Sequence, residues 1–169
     1  MEIINNGHTI QVNYAPGSHI MVDGISFELK QFHFHNPSEN HIDSKSYPLE
    51  GHLVHADADG NLAVVALMFK EGAENSVLSG IWKHMPKEAG GKASVSGGTV
   101  NADDLLPENR DYYRFYGSLA TPPCSEGVRW LVMKNMATVS KEQVEAFHHV
   151  MHHDNNRPVQ PTNARPVLK

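Results

Sequence analysis

The sequence predicts a mainly β domain of the α+β class, with helices at its surface. Short segments in which apolar and polar residues alternate dominate the first half of the chain, whereas a helical period appears only at residues 74–85 and 140–153. At 169 residues, 40% of them hydrophobic, the chain is long enough for one well-buried core. We therefore expect residues 1–169 to form a single domain.

The strand segments follow one another with turn signals between them. Residues 2–14 alternate around the turn-forming pair Asn6-Gly7, and the dipeptide Asp23-Gly24 predicts a hairpin between 18–22 and 25–29. The apolar run at 62–69 is short and β-branched, so a buried strand is favoured over a helix.

Two helices and one loop complete the prediction. An apolar stripe at three- and four-residue spacing marks 74–85 as an amphipathic helix. The second helix, 140–153, begins at a capping box formed by Ser140 and Gln143. The Gly- and Ser-rich stretch 89–98 predicts a flexible surface loop.

The segment QFHFH at residues 31–35 places two histidines on one side of a strand. Side chains alternate between the faces of a strand, so Gln31, His33 and His35 share one face, while Phe32 and Phe34 face a core. Two imidazoles do not make a metal site, and lone histidines are more often surface or core residues than ligands.

A second strand segment, 47–57, supplies a third imidazole. Its alternation puts Glu50 and His52 on one face together with Val54, and if this strand runs beside the first, the three histidines converge. Three neutral imidazoles suit Zn²⁺ and leave a fourth position open, as in catalytic zinc sites. Gln31 and Glu50 would then accept hydrogen bonds from the outer nitrogens of the ligands.

Composition excludes several other classes of protein. The formal net charge is −5 and the pI about 6.1, without the clustered Lys and Arg that nucleic-acid binding needs. No apolar run approaches the length of a membrane span, and no signal segment opens the chain. The histidines at 148, 149, 152 and 153 are interpreted as a solvated helix end rather than a second metal site.

Three segments carry a resemblance to a known family. QFHFHNPSEN at 31–40, EGHLVH at 50–55 and GSLATPPCSEGVRW at 117–130 together resemble the α-class carbonic anhydrases, especially the bacterial ones. The similarity runs in the family's order from NNGH at 5–8 to NRPVQP at 156–161. The resemblance implies a large twisted, mostly antiparallel sheet with surface helices.

The resemblance also implies a role for individual residues. It makes His33, His35 and His52 the zinc ligands, Gln31 and Glu50 acceptors for two of them, and Asn156 the residue whose backbone carbonyl serves the third. His8 would be the proton shuttle, and Glu39 the carboxylate that orients a gatekeeper hydroxyl. The wall where carbon dioxide rests would consist of Val54, Val64, Leu119 and Trp130, with Thr121 beside it.

The implied chemistry is the reversible hydration of carbon dioxide to bicarbonate and a proton. Zinc with three neutral ligands lowers the pKa of a bound water to about 7. Each turnover then leaves a proton to export, which an exposed imidazole such as His8 can carry.

Two departures from the family pattern modify this expectation. The family segment normally has two threonines after the leucine, and here the first is Ala120, so activity is expected to be weakened. Family members also carry further residues before the strand where this chain begins. Cys124 is the only cysteine and is either a free thiol or bonded to another chain.

The shorter start predicts an exposed sheet edge and hence a homo-oligomer. The resemblance implies a periplasmic or secreted protein. Two other functions stay open: a non-catalytic zinc-containing binding module of the same fold, and, more remotely, a cupin-like metalloenzyme, since His35 and Glu39 have the spacing of that family but its glycine pattern is missing.

Overall fold

The computed structural model describes residues 1–96 and 100–169, and within these ranges ten strands and two α-helices are built around one sheet. The strands are β1 Glu2–Asn5, β2 Ile10–Asn13, β3 His19–Val22, β4 Ile25–His35, β5 Leu49–Ala56, β6 Leu62–Glu71, β7 Lys92–Ser94, β8 Tyr112–Ser118, β9 Glu126–Met133 and β10 Ala137–Val139. The helices are α1 Ser76–Trp82 and α2 Lys141–Met151, with a short 3₁₀ helix at Ala102–Leu105.

The sheet is mixed but mostly antiparallel, as predicted. Its main path runs β7-β1-β2-β4-β5-β6-β9-β8, while β3 pairs with β4 and β10 with β6. Only the pairs of β6 with β9 and with β10 are parallel among the described strands. The long strands β4, β5 and β6 therefore occupy the centre of the sheet.

Local sequence signals account for several element boundaries. Asp23 and Gly24 both adopt positive φ, +53° and +77°, which matches the primed turn expected for a two-residue hairpin between β3 and β4. Ser140 accepts a hydrogen bond from the backbone N–H of Gln143, whose side chain accepts from the backbone of Ser140. The predicted capping box at the start of α2 is thus confirmed.

The two faces of the sheet carry different cores. Phe32 and Phe34 lie on the helix-covered face, where Phe34 meets Trp82 of α1 and Phe147 of α2 at ring-centroid distances of 5.0 and 6.4 Å. The opposite face holds a smaller apolar cluster around Val64 and Trp130. Because the phenylalanines anchor β4 in the first core, its alternate residues are presented on the second face.

Two differences from the sequence prediction concern strands that it did not include. Part of the segment 89–98, expected to be a loop, forms β7 and pairs with β1; residues 97 and 98 lie outside the described ranges. Strands β8, β9 and β10 come from segments for which no strand was predicted. No helix among the described residues is long and apolar enough to cross a membrane.

Candidate metal centre

Three imidazoles meet on the face of β4 and β5 that lies opposite the helices. In the antiparallel register, His33 stands directly across from His52, and His35 across from Glu50. One ring nitrogen from each of His33, His35 and His52 lies within 4.8 Å of the other two. The predicted convergence of these three side chains is therefore confirmed.

Each imidazole has one nitrogen that lies within 3.0 Å of an oxygen acceptor. His33 Nδ1 donates to Gln31 Oε1 at 2.8 Å, and His35 Nδ1 donates to a backbone carbonyl at 2.9 Å. His52 Nε2 lies 3.0 Å from Glu50 Oε1. These partners leave Nε2 of His33, Nε2 of His35 and Nδ1 of His52 as the nitrogens available to a metal.

The carbonyl that serves His35 belongs to Asn155, so the expectation of Asn156 was wrong by one residue. Asn155 is seated beside the end of β4 because its side-chain Oδ1 accepts from the Asn36 N–H at 2.8 Å and its own N–H donates to the Asn36 carbonyl at 3.1 Å. Asn156 instead lines the neighbouring cavity.

The donor set fits zinc. His35 Nε2 is buried and has no hydrogen-bond partner among the described residues, an arrangement that is costly unless another group, such as a metal ion, satisfies it. Three imidazole ligands with one position left open are the donor set of a catalytic zinc site. Glu50 is also held in place, since its Oε2 accepts from the N–H groups of Glu39 and Asn40 at 2.7 and 2.9 Å.

Burial keeps two of the imidazoles in the form that binds metals. Burial, together with the neighbouring His52 and His35, places the pKa of His33 well below its ordinary value, and burial together with His52 lowers the pKa of His35 to about 3. Burial would also lower the pKa of His52, but the charge and hydrogen bond of Glu50 outweigh it and raise that pKa. Metal ligation requires neutral imidazole, so His33 and His35 are ready to bind at neutral pH.

Glu39 is a buried carboxylate with only one oxygen satisfied. Its Oε1 accepts from the backbone N–H of Arg157 at 2.8 Å, whereas its Oε2 is buried with no partner among the residues described. Burial raises the pKa of this carboxyl. Ala120, which offers no hydroxyl, lines the same cavity as Glu39.

Arg157 belongs to the site although no sequence pattern predicted a role for it, and it lies within the matching segment 156–161. Besides its backbone contact to Glu39, its guanidinium donates to Ser118 Oγ at 3.1 Å and to the Leu119 carbonyl at 3.4 Å. Arg157 thereby ties the carboxylate to the loop that carries Ala120.

A cavity of about 570 Å³ opens above the three histidines. The residues expected to form its wall and rim all line it: His8, Val54, Val64, Leu119, Ala120, Thr121 and Trp130. Of the four histidines near the end of α2, His153 alone is among the lining residues in the described part of the chain. A second cavity of about 540 Å³ adjoins the first and shares Glu39, Ala120 and Trp130 with it.

Cys124 lies in the loop after Ala120 and is a free thiol within this chain. It has a positive φ of +56°, and its Sγ is 3.8 Å from the Ala120 carbonyl. Whether it bonds another chain stays a prediction.

The buried histidines predict that the metal-free protein loses stability in mild acid. Burial lowers the pKa of His55, as it does for His33 and His35, so the unfolded chain takes up these protons more readily. A depressed histidine pKa contributes stability above the unfolded value of about 6.5, and this stability is lost as the pH falls toward the folded pKa. His52 and Glu39, whose pKa values are raised, have the opposite sign and offset part of this loss, but the histidines with a depressed pKa number three against these two groups.

We expect urea unfolding of the chelator-treated protein to give a smaller free energy of unfolding at pH 5 than at pH 7. His33, His35 and His55 each add up to about 1.4 kcal/mol per pH unit to the slope of the free energy of unfolding against pH. His55→Asn, which removes one titrating group that is not among His33, His35 and His52, should reduce this slope. Equal stabilities at pH 5 and pH 7 would contradict this expectation.

Comparisons with known proteins agree with the geometry. The family model for eukaryotic-type carbonic anhydrase matches residues 1–169. A carbonic anhydrase from Pectobacterium carotovorum is 54% identical over 167 residues, which cover 99% of this chain and 68% of that protein. A carbonic anhydrase from Klebsiella pneumoniae is 50% identical over 169 residues, with the same 68% share of its length.

A solved structure shows the same fold. The α-carbonic anhydrase from Thermovibrio ammonificans, in complex with the inhibitor sulfanilamide, superposes with a TM-score of 0.97 at 53% identity, covering 100% of this chain and 74% of that one. The match of the family model along the whole sequence, the close bacterial relatives and the shared sheet lead to one conclusion. The chain belongs to the α-class, eukaryotic-type carbonic anhydrase family.

Proposed function

We propose that this chain catalyses the reversible hydration of carbon dioxide to bicarbonate and a proton, with Zn²⁺ held by His33, His35 and His52. The observation that carries the proposal is the convergence of three imidazole nitrogens, each on a ring whose other nitrogen faces an oxygen acceptor. When bound, zinc supplies a water acidic enough to provide a hydroxide nucleophile at neutral pH. Membership of the carbonic anhydrase family supports this chemistry.

The wall of the cavity suits a small substrate without hydrogen-bond donors. Val54, Val64, Leu119 and Trp130 line the same cavity as the three histidines. Carbon dioxide is weakly hydrated, so an apolar surface can hold it without a large desolvation cost. Thr121 supplies a hydroxyl at the same cavity.

In this proposal, His8 transfers the proton released by hydration from the cavity to solvent. His8 is exposed in the turn between β1 and β2 and lines the cavity. Its backbone is held because the Asn6 side chain accepts from the His8 N–H at 2.9 Å. An imidazole can take a proton at one nitrogen and release another to solvent from the other nitrogen.

Impaired activity is part of the proposal. A hydroxyl at position 120 would donate to the Glu39 carboxylate and accept a hydrogen bond from the nucleophile, but Ala120 can do neither. The unpartnered Oε2 of Glu39 supports this reading, since it marks an acceptor from which a donor is missing.

Stopped-flow measurement of carbon dioxide hydration by zinc-loaded protein tests the function. A rate above the uncatalysed background that disappears on chelation and returns with zinc supports the enzyme. A protein that binds zinc but leaves the background rate unchanged would favour the non-catalytic zinc module instead. The cupin-like alternative loses its support because the chain belongs to the carbonic anhydrase family.

The location in the cell and the assembly state are further proposals. We propose a periplasmic or secreted protein, by analogy with the bacterial family members that the sequence resembles.

We also propose that the chain self-associates through a sheet edge. Strand β8 ends the sheet, and one bridge between Arg114 and Leu168 is the only pairing on its outer side among the described residues. Tyr112 and Tyr116 on that strand are exposed, at 40% and 49%. Light scattering at micromolar concentration should therefore give a multiple of 18.7 kDa, and a folded species at that monomer mass would contradict the proposal.

A further inference from the structure

Two exposed imidazoles reach the mouth of the cavity from distant parts of the sequence. His8 lies in the turn after β1, and His153 follows the end of α2. Both line the cavity of about 570 Å³ whose inner surface includes His33, His35 and His52. The proposed hydration uses His8 and leaves His153 without a role.

The end of α2 directs His153 toward this cavity. The helix stops at Met151, and His152 takes a left-handed conformation with φ of +63° while its N–H donates to the His148 carbonyl. This cap turns the chain, so that residues 153–157 run along the cavity. His149, one turn earlier on the helix, is exposed but is not among the residues that line the cavity in the described chain.

Asn155 connects this segment to both His8 and a proposed metal ligand. Its carboxamide Nδ2 donates to the His8 carbonyl at 2.8 Å and to the Phe34 carbonyl at 3.0 Å, while its backbone carbonyl accepts from His35. One residue thus fixes the backbone of the His8 turn relative to strand β4 and to the segment that carries His153. These hydrogen bonds fix the backbone at His8, and His153 lies two residues before Asn155 in a segment that lines the same cavity.

We propose that His153 is a second proton carrier that works in parallel with His8, and that Asn155 positions both. This inference rests on the proposed carbon dioxide hydration. Hydration converts CO₂ and H₂O into HCO₃⁻ and one proton; that proton passes to one ring nitrogen of His8 or His153, and the other nitrogen releases a proton to a buffer base. Asp154 and Arg157 are the charged groups that line the cavity beside His153.

The test compares His8→Ala, His153→Ala and the double variant in zinc-loaded protein, with His149→Ala as the matched control. In dilute buffer, the rate of proton transfer should fall about twofold in each single variant and at least about tenfold in the double variant, because either imidazole can serve alone. The exchange of ¹⁸O between labelled bicarbonate and water is measured as well. The label returns to water only when a proton is delivered to the site, so this exchange reports proton transfer even when hydration is slow. Added imidazole should restore the double variant.

A second readout does not depend on activity. In protein loaded with Co²⁺, the ring protons of His8 and His153 should show paramagnetic shifts or broadening in NMR spectra that those of His149 lack. Asn155→Ala keeps the backbone carbonyl that serves His35 but removes the carboxamide, so it should weaken the paramagnetic effect on His8 and lower proton transfer.

The outcomes separate the two proposals. A double variant that matches His8→Ala in both turnover and ¹⁸O exchange, or a His153 ring without any paramagnetic effect, overturns the role of His153 while hydration stands. Absence of hydration in the zinc-loaded parent at every buffer concentration overturns the proposed function, and this inference with it.

Discussion

His52→Ala should abolish zinc binding, from one zinc per chain in the parent to a small fraction in the variant. His52 is one of three imidazoles whose free nitrogens lie within 4.8 Å of one another, and two ligands hold zinc far more weakly than three. Metal analysis after dialysis measures the loss, and carbon dioxide hydration should fall to the background rate. A variant that retains full zinc occupancy would refute the ligand assignment.

The variant should still fold, because Glu50 keeps other donors when His52 is removed. The backbone N–H groups of Glu39 and Asn40 and the side-chain amide of Asn40 all donate to the Glu50 carboxylate. Circular dichroism checks this point, and His33→Ala provides a second ligand variant whose remaining neighbour, Gln31, is neutral.

Two further variants should weaken zinc binding less than His52→Ala does, or leave it unchanged. Gln31→Ala removes only the acceptor for the outer nitrogen of His33, so zinc affinity should fall by about 10–100-fold without being lost. His149→Ala, on the exposed end of α2, should bind zinc as the parent does. A helix-end variant that loses zinc would point to a different site.

Ala120→Thr should raise the rate of carbon dioxide hydration by about ten- to a hundredfold. The new hydroxyl can donate to Glu39, whose Oε2 lacks a partner, and accept a hydrogen bond from the nucleophile, so that the nucleophile is oriented toward the substrate. A hydrogen bond involving a charged group contributes roughly 1.5–3 kcal/mol, and about 1.4 kcal/mol corresponds to a factor of ten in rate.

Two control variants distinguish the effect of the hydroxyl on the rate from the effect of side-chain shape. Ala120→Val has the outline of threonine without a hydroxyl and should gain nothing. Adding Glu39→Ala to the threonine variant should remove most of its gain, because the hydroxyl then lacks its acceptor. If the threonine variant is no faster than the valine variant at equal zinc content, another feature of this protein limits the rate.

The convergence of the three imidazoles could be predicted from the sequence because it depends on strand alternation. His33 and His35 are two residues apart on β4, and Phe32 and Phe34 commit the other face of that strand to the core. The same period in β5 aligns Glu50 with His52. Only the pairing of the two strands had to be assumed, and the observed register places His33 opposite His52.

Other parts of the site depend on contacts between distant segments. The carbonyl that serves His35 is that of Asn155, not Asn156, because the turn after α2 and the paired hydrogen bonds to Asn36 set which residue faces β4. The role of Arg157 at Glu39 has the same origin, since those residues meet only when the chain after α2 crosses the cavity. Strand β7 was missed because its three residues are strand only through pairing with β1.

The sequence by itself determined the class of fold, the two helices and the three imidazoles with two of their acceptors, since each depends on a period or a turn signal within a few residues. Alternation also placed the phenylalanines of β4 on the core side, and the resemblance identified Ala120 as the departure at the gatekeeper position. The tertiary structure alone decided which carbonyl holds His35, which oxygen of Glu39 lacks a partner and which histidine after α2 reaches the cavity. Each of these features depends on a contact between segments that are far apart in the chain. Local sequence patterns do not predict such contacts, because the distance between the segments is set by the packing of the sheet and by the loops that cross it.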